Sequence, residues 1–118
     1  GILDFGDSIY SCRIFEPAIA AGYFSLCQAD PMMVLQEVLR GYLETVPWEI
    51  AEDEVLAYFH AARGRILLSV AFAAENSHLE PDNEYPAHTS EPGWAVLRAL
   101  DNDHRALQGL HEVAHEVA

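Results

Sequence analysis

Two stretches of this sequence carry residue types at spacings that could do chemistry. The first is the opening GILDFGD, in which Asp4-Phe5-Gly6 follows a short apolar run. In phosphoryl transfer, an aspartate at the end of a short strand binds Mg²⁺ bridging the nucleotide phosphates, and the glycine after it lets the backbone turn sharply beside that charge. The bland alternative is an ordinary strand-end turn, for which Asp and Gly are common choices. The second stretch is HEVAH, residues 111–115. His111 and His115 stand at i and i+4, the spacing that puts two imidazoles on one helix face to bind zinc, with Glu112 as general base. A catalytic zinc also needs a third protein ligand, which in the common zincins lies downstream, and only three residues follow His115. The competing reading is a solvated helix face carrying His104, His111 and His115.

The elements that must position these groups are bounded by composition. With 118 residues, 51% of them hydrophobic, there is material for one modest core. Acidic residues outnumber basic ones 19 to 6 for a formal net charge of −13, which repels phosphate backbones and anionic lipid. Neither nucleic acid nor a membrane surface is an expected partner. The six cations are all arginines (Arg13, Arg40, Arg63, Arg65, Arg98 and Arg105), so these residues contain no phosphate-pairing lysine. Cys12 and Cys27 are not clustered as metal ligands, and no charged leader precedes an apolar run. Reduced thiols and a cytoplasmic location are expected. The longest apolar stretch, residues 66–74, falls well short of the roughly 20 residues that span a bilayer.

Periodicity supplies the scaffold. Residues 1–5 form a short apolar run ending at Gly6-Asp7-Ser8, which predicts a strand entering a turn. Between about residues 11 and 27 the spacing of Ile14, Phe15, Ala18, Ile19, Gly22, Tyr23 and Leu26 predicts a helix, with Pro17 confined to its first turn. Asp30-Pro31 caps a second helix bearing Val34, Leu35, Val38, Leu39 and Tyr42, which should stop before Pro47. A longer third helix carries Val55, Phe59, Ala62, Ile66, Val70 and Ala73; its second half is apolar on most sides, so it should be central. Residues 76–90 read as a loop, and Ser90 as the cap of a fourth helix bearing Trp94, Leu97 and Leu100. Asp101 and Asn102 allow a break before a last helix that ends at Val117. Within this scaffold Arg63 and Arg65 could anchor a carboxylate or pair at the surface, and His60, Trp48, Tyr58 and Trp94 could line a cleft or fill the core.

A single strand cannot satisfy its own backbone groups, so a pairing partner outside this chain is expected. The stretch GILDFGDSIYSCRIFEPAIAAGYFSL resembles the metal-binding segment of the aminoglycoside phosphotransferase and choline kinase-like superfamily. DPMMVLQEVLRGYLETVPW, the long third helix and SEPGWAVLRAL resemble the C-terminal helical region of its hydroxylysine kinase-like members. The resemblance implies that Asp4 is the metal-binding aspartate and so contacts the Mg²⁺-bound ATP or GTP. It also implies that Phe5 and Gly6 shape the turn, that Asp7 is a supporting acid, and that Glu16 braces the catalytic loop. Pro17 departs from the family pattern, where leucine or valine is commoner. The family's His-Gly-Asp loop, with its catalytic base and second metal ligand, has no counterpart here.

The expected fold is therefore mainly α, the helical C-lobe portion of a protein-kinase-like fold with an N-terminal strand stub. Residues 1–118 would be one incomplete domain, a metal-binding strand and turn over 1–7 and a helical region over 11–118. The implied activity is transfer of a nucleoside triphosphate's γ-phosphoryl to a hydroxyl of a small amine or amino acid. It would need the missing N-terminal portion of the same protein, and this chain alone should be inactive. The alternatives are a non-catalytic helical interaction module and, third, a zinc hydrolase using HEVAH.

Overall fold

Helix boundaries fall where the local chemistry places them. The computed structural model of the chain describes residues 1–82, 87–101 and 103–118. Its elements are a 3₁₀ turn at Phe5–Asp7 and the helices α1 (Phe15–Phe24), α2 (Pro31–Thr45), α3 (Glu52–Leu79), α4 (Ala87–Ala99) and α5 (Asp103–Val117). Pro17 lies in the first turn of α1, where its missing N–H is no loss. After α1, Cys27 takes a left-handed backbone with φ 62°. Asp30 caps α2, its Oδ1 accepting the Met33 N–H at 3.1 Å, with Pro31 as the first helical residue. Val46 is extended ahead of Pro47, ending α2 as expected. Glu54 reaches back to accept the Ala51 N–H at 3.0 Å, closing the first turn of α3.

Central α3 packs against α1, α4 and α5, while α2 packs against α1 and α5. Val55, Phe59, Ala62, Ile66, Val70 and Ala73 are buried as the periodicity requires, and Tyr58 joins them. Leu35 and Leu39 of α2 close the core, together with Val96 of α4, Leu100 just after it, and Leu110 and Val113 of α5. The α1–α3 approach uses small residues. A Cβ added at Gly22 would sit 3.1 Å from the Ala62 carbonyl oxygen, so only glycine fits there without a shift. With 28 residues, α3 is long and apolar enough to cross a bilayer by length and composition, yet one whole face of it is this core.

Several expectations need correction. No strand occurs among the described residues; the chain is irregular up to Asp4 and then enters the 3₁₀ turn. The reason is that a single strand cannot satisfy its own backbone groups, and none of the described residues pairs with it. The loop expected over residues 76–90 is shorter, because α3 runs to Leu79 and α4 starts at Ala87, leaving Ser90 inside a helix and not at its cap. The segment 83–86 of that loop, and Asn102 of the expected break, lie outside the described residues. Pro92 stands inside α4. Gly93 and Val96 of α4, with Leu100 just beyond its end, face the core, so Trp94 turns outward. In the second half of α3 the extra apolar residues do not enclose the helix. Leu67, Leu68 and Phe72 are exposed.

Candidate functional site

The opening turn is built on one unusual residue. Asp4 adopts φ 59° and ψ 43°, and its carbonyl accepts the Asp7 N–H at 3.0 Å. A left-handed backbone costs a residue with a Cβ about 1–2 kcal/mol, and aspartate is one of the few types that visits it. The sharp turn is thus made at Asp4 and not at Gly6, which has no positive φ and would meet nothing if given a Cβ. Asp4, Phe5, Gly6 and Asp7 are all exposed, and the Asp4 carboxylate makes no capping bond. Glu16 is likewise exposed, in the first turn of α1 where an acid suits the helix dipole.

A hard-cation site needs oxygen donors, and Asp4, Asp7 and Glu16 each carry a carboxylate. Mg²⁺ binds through one or two carboxylates, filling its other positions with phosphate oxygens and water. A presented Asp4 carboxylate fits that donor chemistry. No group of three or more His, Cys, Asp or Glu that could hold a metal is gathered among the described residues. Asp4, Asp7 and Glu16 therefore make no complete centre by themselves.

Where the opening segment meets the helices, Arg13 pins it down. Its Nε and Nη2 each donate to Glu54 at 3.1 Å, Nη2 also reaches the Glu49 carbonyl at 3.1 Å, and the guanidinium lies 5.1 Å over the Trp48 ring. The bonds from Arg13, then that from the Ala51 N–H, hold the Glu54 carboxyl below the usual carboxylate range. Sequence reading missed this clamp, since its two residues are 41 positions apart and no local pattern links them.

Arg63 and Arg65 separate into two environments. Arg63 lies 5.1 Å over the Phe59 ring. Arg65 donates from Nε to the Tyr23 hydroxyl at 2.9 Å and lies 5.4 Å over the same ring. Tyr23 and Ser69 share a further bond of 3.4 Å, and Ser69 Oγ donates to the Arg65 carbonyl. Burial raises the Tyr23 hydroxyl pKa, but the bonds to Ser69 and Arg65 and the Arg65 charge outweigh it, leaving it below the ordinary tyrosine value. Of the aromatics named as cleft candidates, Tyr58 is core, His60 is exposed beside Phe59, and Trp94 is exposed.

Trp48 lines a groove of about 250 Å³ with Ile50, Val55, His111 and His115. The HEVAH histidines do lie one turn apart on α5, His111 half-buried and His115 exposed, while Glu112 accepts a bond from Gln108 at 3.0 Å.

Comparison with known proteins supports a kinase-like relationship for this chain. It is 35% identical over 101 residues to hydroxylysine kinase of Mus musculus, 35% to that of Bos taurus and 34% to that of Xenopus laevis. Each match takes in 85% of this chain but 26% of the relative, so the chain spans about a quarter of the length of the curated relatives it matches. No protein-family profile matches the chain. No solved structure matches it.

Proposed function

We propose that this chain is the C-terminal helical part of a small-molecule kinase of the hydroxylysine kinase type, within a protein-kinase-like fold. The observation that carries the reading is the identity to hydroxylysine kinases across most of the chain, joined to an Asp-Phe-Gly whose aspartate holds a left-handed turn. Residues in sparsely populated backbone regions concentrate at functional sites, which gives the turn a purpose that a solvated loop lacks.

In the intact enzyme, a γ-phosphoryl from ATP or GTP passes to a hydroxyl of a small amine or amino acid. Asp4, which makes the turn, would hold Mg²⁺ at the nucleotide, Phe5 and Gly6 carry the chain on through the 3₁₀ turn with Asp7 in support, and Glu16 braces the loop that carries the base. When bound, Mg²⁺ neutralises the charge that develops on the phosphates. The base, the second metal ligand and the nucleotide cradle come from the N-terminal portion of the same protein. The acidic surface suits a cationic amine acceptor and does not suit nucleic acid or anionic membrane. A cytoplasmic location goes with this reading. A self-contained core of buried side chains from all five helices supports one other reading, a non-catalytic helical module.

Reconstruction separates the two. The chain joined to the upstream part of its own gene is assayed with ATP and GTP against hydroxylysine and small amino alcohols. The intact polypeptide should transfer phosphate, the 118-residue chain alone should not, and Asp4→Asn should lose about 10²–10³-fold in kcat, as when a charge-stabilising group is removed. An Asp4→Asn enzyme of full activity defeats the role given to Asp4. An intact polypeptide without activity favours the module.

A further inference from the structure

The side of the molecule formed by α1 and the second half of α3 leaves large apolar groups in solvent. Phe72 is 53% and Leu68 44% exposed, and Ile19 and Tyr23 of α1 stand at 39% and 38%. On α3, Arg65, Leu68, Ser69 and Phe72 share one side by their three, four and seven residue spacing. Tyr23 bonds to both Arg65 and Ser69, so the apolar groups of the two helices flank one fixed guanidinium.

That guanidinium differs from three others in the chain. Arg13, Arg40 and Arg98 each hold a carboxylate: Glu54, Glu116 and Glu91 respectively. Arg65 holds the hydroxyl and ring of Tyr23, both neutral, and no carboxylate among the described residues. Its terminal amino groups are set by the Nε bond and the ring, ready for an anion that none of the described residues supplies.

We infer that this face is the seat of the polypeptide that precedes the chain in the intact enzyme, which lays apolar side chains on Ile19, Leu68 and Phe72 and a carboxylate on Arg65. The inference rests on the reading of the chain as one part of a longer kinase. Apolar patches of this kind mark surfaces that are covered in the working assembly. The relatives are about four times as long as the matched segment, so most of such a protein is left to do the covering. The opening segment also leads directly into α1, so whatever precedes it is tethered to the helix that supplies half the face. Ile2, Leu3, Phe5, Ile9 and Tyr10 of that segment are themselves exposed and await the same cover. A small-molecule anion is the weaker occupant, because none of the described cavities is lined by Ile19, Tyr23, Arg65, Leu68 or Phe72.

Hydroxyl-radical footprinting of the intact polypeptide, at concentrations where light scattering shows a monomer, tests this. Phe72 and Leu68 should be oxidised as slowly as buried Phe59, roughly tenfold or more below their rate in the urea-unfolded protein. Rates close to the unfolded ones, or protection present only in a dimer, overturn the inference. Phosphate transfer is measured on the same preparation. Activity with a rapidly oxidised Phe72 removes the inference and leaves the kinase reading standing, whereas a protected Phe72 without activity does the reverse. Arg65→Ala should speed oxidation of Phe72 and leave KM in the same ratio for acceptors with and without a carboxylate. A KM that rises only for carboxylate-bearing acceptors, with Phe72 still protected, assigns the anion to the acceptor and overturns the pairing.

Discussion

Arg13 and Glu54 form a two-pronged ion pair, Nε and Nη2 each 3.1 Å from one carboxylate oxygen, and the same carboxylate closes the first turn of α3 by accepting the Ala51 N–H. One side chain thus caps a helix and holds the chain that leads to Asp4. The segment between the opening turn and α1 is tied to the start of the central helix at Arg13.

The pair gives an acid-side prediction. Bonding holds the Glu54 carboxyl below its ordinary value, so the folded state binds its proton later than the unfolded chain does. Its stabilisation is fully present above the unfolded carboxylate pKa, about 4.3, and is lost as pH falls through the depressed one. Glu54→Gln keeps an oxygen for the Ala51 N–H but gives up the charge. Its thermal midpoint should lie below wild type at pH 7, with the gap closing in acid; a gap that is constant with pH would show that the charge does not matter.

Tyr58 gives the alkaline counterpart. The side chain is fully buried, and its hydroxyl donates to the Leu35 carbonyl at 2.8 Å, joining α3 to α2. That carbonyl lies inside α2 and keeps its helical bond when the hydroxyl is removed. Tyr58→Phe should therefore cost only about 0.5–1.5 kcal/mol in urea unfolding, against about 3–5 for Phe59→Ala next to it. Burial pushes the Tyr58 hydroxyl well above the ordinary tyrosine range. The unfolded chain releases this proton near pH 10 and the folded one holds it, so stability is complete below that pH and falls above it. Tyr58→Phe should flatten the fall.

How far these features were legible beforehand depends on their range. Asp30-Pro31 and the Val55-to-Ala73 face were readable because a cap and a helical period are local facts, and both stand in the structure. The shorter loop and the outward Trp94 were not readable. A proline inside α4 argues locally for a later helix start, and packing against α3 through Gly93 and Val96 overrides it. The strand failed for the opposite reason, since its apolar run was real but no strand partner stands among the described residues. Asp4 was named as a site residue from Asp-Phe-Gly and the family resemblance, while its left-handed backbone could only be seen in coordinates. Arg65 was named as a possible carboxylate anchor from its type, but its neutral partner Tyr23 lies 42 residues away.

The last prediction concerns HEVAH. His111 and His115 occupy successive turns of α5 beside the Trp48 groove, so two imidazoles at zinc spacing are present. A catalytic zinc, however, is held by three protein ligands, with its water activated by a base free to take a proton. Among the described residues no third His, Cys, Asp or Glu completes a group with these two, and Glu112 is bonded to Gln108 on the outer side of the helix. A two-histidine site with His115 exposed also leaves water in place around any ion it takes up, so the ion gains little as a Lewis acid. The chain should therefore cleave no peptide substrate with or without added Zn²⁺, and Glu112→Gln should leave that baseline unchanged. Chelator-sensitive cleavage that disappears in Glu112→Gln would place a working zinc centre on α5 and require a third ligand to be found.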